Sequence, residues 1–131
     1  MTDQADNQVG AIEWRDLTVS DAVGVKDFYS HVVGWQTQPV SMGDYDDFNM
    51  NLPDTGETIA GVCHARGCNE GIPPQWLMYV RVADIRASVA SCHAHGGKVI
   101  KDIAEMGKLE FCIVQDPAGA VLGLIADKVA N

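Results

Sequence analysis

The sequence predicts an α+β fold made of two βαβββ modules in one 131-residue chain, and three observations carry that prediction. First, Trp14-Arg15-Asp16-Leu17-Thr18-Val19-Ser20-Asp21 recurs in pattern as Leu77-Met78-Tyr79-Val80-Arg81-Val82-Ala83-Asp84, and the same offset carries Gly34 onto Gly97, Phe48 onto Phe111 and Gly56 onto Gly119. Second, each copy opens with residues of alternating polarity and then changes to a helical period. Third, three strand-like runs separated by turn residues follow each helical stretch.

In the first module, about residues 11–64, Leu17 and Val19 point one way along the opening strand and Trp14, Asp16 and Thr18 the other. Asp21 is placed to cap a helix carrying Val25, Phe28, Val32 and Val33 on one face, and Gly34 ends it. Strands follow at Trp35 to Val40, Phe48 to Leu52 and Thr58 to Cys63, broken by Ser41-Met42-Gly43-Asp44 and Pro53-Asp54-Thr55-Gly56. Residues 65–74, with two glycines and paired prolines, read as a linker.

The second module, about 75–126, repeats the plan. Met78, Val80 and Val82 face one way and Leu77, Tyr79 and Arg81 the other; Asp84 caps a helix carrying Ile85, Val89 and Cys92, and Gly96-Gly97 stops it. Strands follow at Lys98 to Asp102, Leu109 to Gln115 and Ala120 to Ile125. A four-stranded sheet with a helix on one face leaves the other face uncovered, so two such units side by side curve into a cup. Trp14, Asp16, Thr18, Leu77, Tyr79 and Arg81 are the expected wall of that cup.

Composition sets the chemical class. Eighteen acidic residues against nine basic ones give a formal net charge of -9, and 47% of residues are hydrophobic. That is an ordinary globular composition with enough apolar material for a core. No basic face remains for phosphates, which argues against nucleic acid and anionic membranes and favours a neutral or cationic small molecule. The start of the chain is acidic and polar, and no apolar run reaches the roughly 18 residues of a membrane span, so a cytoplasmic protein is expected. In that compartment Cys63, Cys68, Cys92 and Cys112 are expected as thiols. Up to Arg66 there are 11 acidic and 3 basic residues, so the acidity is concentrated in the first half. Its densest run, Asp44-Tyr45-Asp46-Asp47, reads as a solvated turn, with a cation-attracting pocket rim as the alternative.

Other candidates are weighed against plainer roles. Cys63-His64 with Cys68 is the one cluster of soft ligands, but its spacing matches no zinc site. His64 with Arg66 is placed to overhang the cup and donate to a ligand oxygen. His93 and His95 read as helix-terminal residues, His31 as surface, and Ser30-His31 as no triad. Burying Asp16 or Arg81 alone is costly, so the plain expectation is a mutual ion pair. The functional alternative has Arg81 polarising a ligand carbonyl or carboxylate while Asp16 accepts a proton or cation, with Glu110 a further candidate.

The string Leu17-Thr18-Val19-Ser20-Asp21, with Phe28-Tyr29 and Val33-Gly34-Trp35, then Val82-Ala83-Asp84, Gly96-Gly97 and Asp116-Pro117-Ala118-Gly119, resembles the vicinal oxygen chelate superfamily over about residues 11–126. That superfamily includes glyoxalase I, bleomycin resistance proteins and extradiol dioxygenases. The resemblance implies paired βαβββ modules forming a cup-shaped mixed sheet and a homodimer. It also implies a divalent metal held by His or Glu on the first and fourth strands of each module. Carried over by position, those places hold Trp14, Ala60 or Gly61, Leu77 and Gly123, none of which ligates a metal. No metal is therefore expected; small glycines facing Trp14 suggest a cavity filled by aromatic stacking instead, and Gly123 is counted among the ligand-binding positions. The leading expectation is a metal-free protein that binds a small organic molecule. The alternative is a lyase, isomerase, epimerase or dioxygenase-type enzyme of the same superfamily using Asp16, Tyr79 or Arg81, or a metalloenzyme with non-standard ligands. A third reading makes the cup a dimer interface. Fold alone does not decide among them.

Overall fold

The computed structural model describes residues 8–128, in the order β1 (Ile12–Val19), α1 (Ala22–Val33), β2 (Gln36–Ser41), β3 (Asp46–Asn51), β4 (Thr58–His64), β5 (Trp76–Arg81), α2 (Ile85–Ala94), β6 (Lys98–Met106), β7 (Leu109–Gln115) and β8 (Val121–Asp127). It is the α+β arrangement of two βαβββ modules. The chain forms two compact units, one spanning Trp14–Trp76 and the other Leu77 onward together with the stretch ending at Glu13. The division falls inside β1. Gly10 N–H donates to Arg81 O at 2.8 Å and Arg81 N–H to Ala11 O at 2.9 Å, which ties the start of β1 to the second unit.

In the first unit β1 pairs parallel with β4, while β3 pairs antiparallel with β2 and β4. The Asp21 carboxylate accepts from Gly24 N–H at the start of α1, and Gly34 closes it in the left-handed region at φ 91°. A side chain at that φ is strained, which is why glycine stands there. The helix seats Ala22, Val25 and Tyr29 on a core of Phe48, Met50, Ala60 and Val62. The expected stripe of Phe28, Val32 and Val33 is instead exposed at 56%, 64% and 51%. Ala22, Val25 and Tyr29 are spaced three and four apart and form one helical face. A small alanine at its head brings the helix close to the sheet, so the larger apolar residues fall outside the contact. The segment expected as a linker contains one 3-10 turn, Gly67–Asn69.

The second unit repeats the topology, with β5 parallel to β8 and β7 antiparallel to β6 and β8. Asp84 accepts from Arg86 and Ala87 N–H groups to start α2. Ile85, Val89 and Cys92 pack as expected, against Cys112, Val114, Leu124 and Ala126. Met78, expected to face the helix, is exposed. Strand β6 runs four residues past its expected end because two register shifts let it continue beside β7. All four cysteines are free thiols.

Candidate functional site

In the first unit, the sheet face opposite α1 carries a cleft of about 160 Å³ lined by Trp14, Asp16, Val40, Met42, Asp47, Phe48, Asn49, Gly61 and Cys63. Strand alternation builds it: the side chains of Val19, Met50 and Val62 go to the helix side, leaving Trp14, Asp16, Asn49, Gly61 and Cys63 on the other. Asp16 is its chemical centre. One carboxylate oxygen accepts from the Trp14 indole N–H at 2.8 Å and the other from the Cys63 thiol at 3.6 Å. Gly61 lies opposite Asp16 in the β1/β4 register, and a Cβ there would overlap the Asp16 carboxylate. Glycine thus makes room for the acid.

Burial raises the Asp16 carboxyl from its ordinary 3.8 to about 6; the Trp14 and Cys63 hydrogen bonds act the other way, and neighbouring Asp47 adds to the rise. Burial likewise pushes the Cys63 thiol up, helped by Asp16 and Asp47, so Cys63 stays a protonated donor. The site therefore offers one carboxyl poised between its two forms, held in a fixed direction beside an indole wall.

Thr18, two residues on, is buried at 1% exposure, and among the described residues its hydroxyl oxygen has no hydrogen-bond partner. Asp47 is buried too and accepts from His64 N–H at 2.8 Å, so the acidic run is not wholly a solvated turn. His64 departs from the expectation. Its ring packs against Tyr45 and Phe48, at 5.4 and 6.5 Å between centroids, on the helix side of β4. Arg66 stacks 4.0 Å over Tyr45 and pairs with Asp44. Odd and even residues of a strand face opposite ways, and Cys63 takes the cleft.

In the second unit, Leu77, Tyr79, Phe111, Ile113 and Ile125 are all buried. The Tyr79 ring occupies the space a side chain at Gly123 would need and meets Phe111 edge-on, so these two expected site residues pack on each other. Arg81 is engaged within its own unit. Its guanidinium grips the Glu13 carboxylate with two nitrogens and reaches Asp127 at 3.0 Å. Hydrogen bonding to Glu13, then to Asp127, holds it firmly charged. Glu110 faces α2, where Arg86 binds both its oxygens at 3.0 Å and lowers its pKa. A second cleft of about 300 Å³ lies at the start of α2, but its Asp84, Arg86, Glu110 and Asp127 are already engaged with one another, with Arg81 or with backbone N–H groups.

The metal-ligand positions implied by the resemblance do not fit a metal. Trp14 and Leu77 offer no donor of that kind, Gly61 faces the Asp16 carboxylate and Gly123 the Tyr79 ring. Among the described residues no three His, Cys, Asp or Glu side chains converge as a metal cage.

Of the expected site residues Trp14 and Asp16 line this cleft; Asn49, Met42 and the hydrogen-bonded Cys63 line it as well and were not among those expected. The β1 alternation was readable; the register that brings β3 and β4 beside it depends on long-range pairing and a shift between Met50 and Asn51.

Two βαβββ modules in one chain, each with a mixed sheet and one helix, define a class, and the Glyoxalase/Bleomycin resistance protein/Dioxygenase superfamily model matches residues 9–124. The chain belongs to that superfamily. Among curated proteins it is 32% identical over 132 residues to the "Putative glyoxylase CFP32" of Mycobacterium bovis and to that of Mycobacterium tuberculosis. The match covers 95% of this chain and 48% of each relative, so the chain spans about half their length. Among solved structures, a superfamily member from Vibrio splendidus aligns with a TM-score of 0.54 at 14% identity, over 87% of this chain and 97% of that one. A methylmalonyl-CoA epimerase from Mycobacterium tuberculosis aligns at 0.50 and 12%, over 88% and 86%. These structural likenesses show the fold.

Proposed function

We propose that the chain is a small-molecule-binding member of its superfamily that works without the family's divalent metal, holding a compact neutral or cationic organic ligand in the cleft of the first unit. The observation that carries this reading is Asp16, held by Trp14 and Cys63 in that cleft. Protonated, Asp16 donates to a ligand carbonyl; ionised, it accepts from a hydroxyl or ammonium. The indole of Trp14 supplies an apolar wall and a cation-attracting face. Ligand-detected NMR with a library of single-ring amides, alcohols and amines tests this. Saturable hits that survive EDTA and weaken at least tenfold in Trp14→Ala support the reading; binding that vanishes on chelation and returns with zinc overturns it.

A second reading is catalytic, and the Asp16 pKa favours it. A carboxyl near 6 is matched to moving a proton at neutral pH, as an isomerase, epimerase or lyase acting beside a carbonyl requires. In that reading Asp16 takes the proton from the carbon and returns it, while Trp14 and Cys63 hold its oxygens in line. The glyoxylase name of the curated relatives is compatible with it. Deuterium uptake from D2O into a bound ligand at the carbon next to its carbonyl, abolished in Asp16→Asn, identifies catalysis; unchanged ligand leaves the binding reading. Assembly as a homodimer belongs to the same proposal, supported by the exposed apolar residues of α1.

A further inference from the structure

Asn49, which lines the cleft of the first unit, belongs to a row of amides on β2 and β3. Strands β2 and β3 pair so that Gln36 stands opposite Asn51 and Gln38 opposite Asn49, which puts all four on one sheet face. Asn49 lines the cleft, so that face is the one that carries Asp16. The row is ordered from within: Asn51 donates to Gln38 at 3.1 Å and accepts from Thr58 at 2.7 Å. Asn49, partly buried between this ladder and the cleft, makes no side-chain hydrogen bond among the described residues.

Three features set these amides apart from an ordinary wet sheet face. Asparagine is depleted in strands, where β-branched and aromatic residues fit better, yet here two amide pairs face each other across one ladder. The edge strand β2 is blunted by Pro39 and carries no charged side chain, so its two glutamines stand on this face without a charge of their own strand beside them. Finally, the strand residues on this face include no Lys or Arg in a half that holds only three basic residues up to Arg66. An anionic tail on the ligand would find no countercharge and would meet Asp16 and Asp47. A neutral chain of alternating donors and acceptors matches four carboxamides group for group, since each offers two N–H donors and one carbonyl.

The geometry points to a subsite along β2 and β3 that holds the neutral, amide- or hydroxyl-bearing tail of a ligand whose ring-sized head lies in the Asp16 cleft. This rests on the reading of that cleft as a ligand site and adds the class of ligand: a head with a neutral polar extension, not a phosphorylated or carboxylated one.

Three probes test it on the full chain: 2-phenylacetamide as head alone, N-phenylacetylglycine N-methylamide as head with neutral tail, and N-phenylacetylglycine as head with anionic tail. The expected result is that the neutral tail tightens binding at least fivefold over the head alone and shifts the side-chain NH2 resonances of Gln38, Asn49 and Asn51. The anionic tail is expected to weaken binding. Gln36→Ala/Gln38→Ala, on an exposed edge strand, should abolish the gain. Equal affinity for head alone and neutral tail overturns the subsite while leaving the cleft reading intact, as does tightest binding by the anionic tail. Amide shifts with a silent Trp14 indole and Asp16 carboxyl remove the cleft reading and with it this head-and-tail proposal; no shifts anywhere likewise remove both. Amide resonances that move with protein concentration in the absence of probe make this face a self-association surface and overturn the proposal.

Discussion

Asp16 is held in its cleft at a cost that pH reveals. Its carboxyl is raised from 3.8 to about 6, so the folded chain favours the protonated form. The stabilisation from that proton is complete below about pH 4 and is lost as pH rises through 6, a swing of about 3 kcal/mol at 1.36 kcal/mol per pKa unit. Asp16→Asn keeps an acceptor for the Trp14 indole and removes the ionisation. Thermal denaturation should show the variant more stable than the parent at pH 8, by about 1–3 kcal/mol, and level with it near pH 4; a variant less stable at both pH values contradicts the assignment. Thr18 makes the complementary case. Its hydroxyl is buried without a partner, and an unsatisfied hydroxyl costs about 1–3 kcal/mol. Thr18→Val should therefore match or exceed the parent in chemical denaturation, and a clear loss of stability would reveal a partner for that oxygen.

At the level of the elements, the two units use equivalent strands differently. β1 and β4 leave space at Gly61 and place an acid there, whereas β5 and β8 leave space at Gly123 and fill it with the Tyr79 ring. Gly123→Ala should cost about 1–3 kcal/mol by overpacking, read as a lower denaturation midpoint, and Tyr79→Leu in the same chain should recover part of it. Arg81 joins the start of β1 to β5 and β8 through Glu13 and Asp127. Arg81→Met leaves the largely buried Glu13 carboxylate uncompensated, which costs about 3–5 kcal/mol; Glu13→Gln with Arg81→Met should cost less than Arg81→Met alone. The helix caps at Asp21 and Asp84 and the stops at Gly34 and Gly96 were legible because each acts within one turn of its own residue. Which residues of α1 meet the sheet was not, because Phe28 and Val32 satisfy apolar periodicity as well as Ala22 and Tyr29 do. The choice between those faces is made by the sheet.

Across the whole chain, the repeat fixed the topology: a constant offset between Trp14 and Leu77 foretold the same element order twice. Side-chain partners did not follow from it. Asp16 and Arg81 share strand parity, yet each finds its counterpart within its own unit, Asp16 in Trp14 and Cys63, Arg81 in Glu13. Glu110 and His64 fell on the helix sides of their strands through registers that no local pattern sets. The homodimer proposal predicts a sedimentation mass of twice 14.1 kDa, and a monomer at micromolar concentration would count against it. A metal-independent site built around Asp16 is tested by a carboxyl 13C NMR titration of Asp16 in EDTA, repeated with zinc and with a bound ring-sized amide. The expected midpoint lies near 6, left in place by zinc and moved by the amide. A midpoint near 4, or one that falls only when zinc is added, would contradict it.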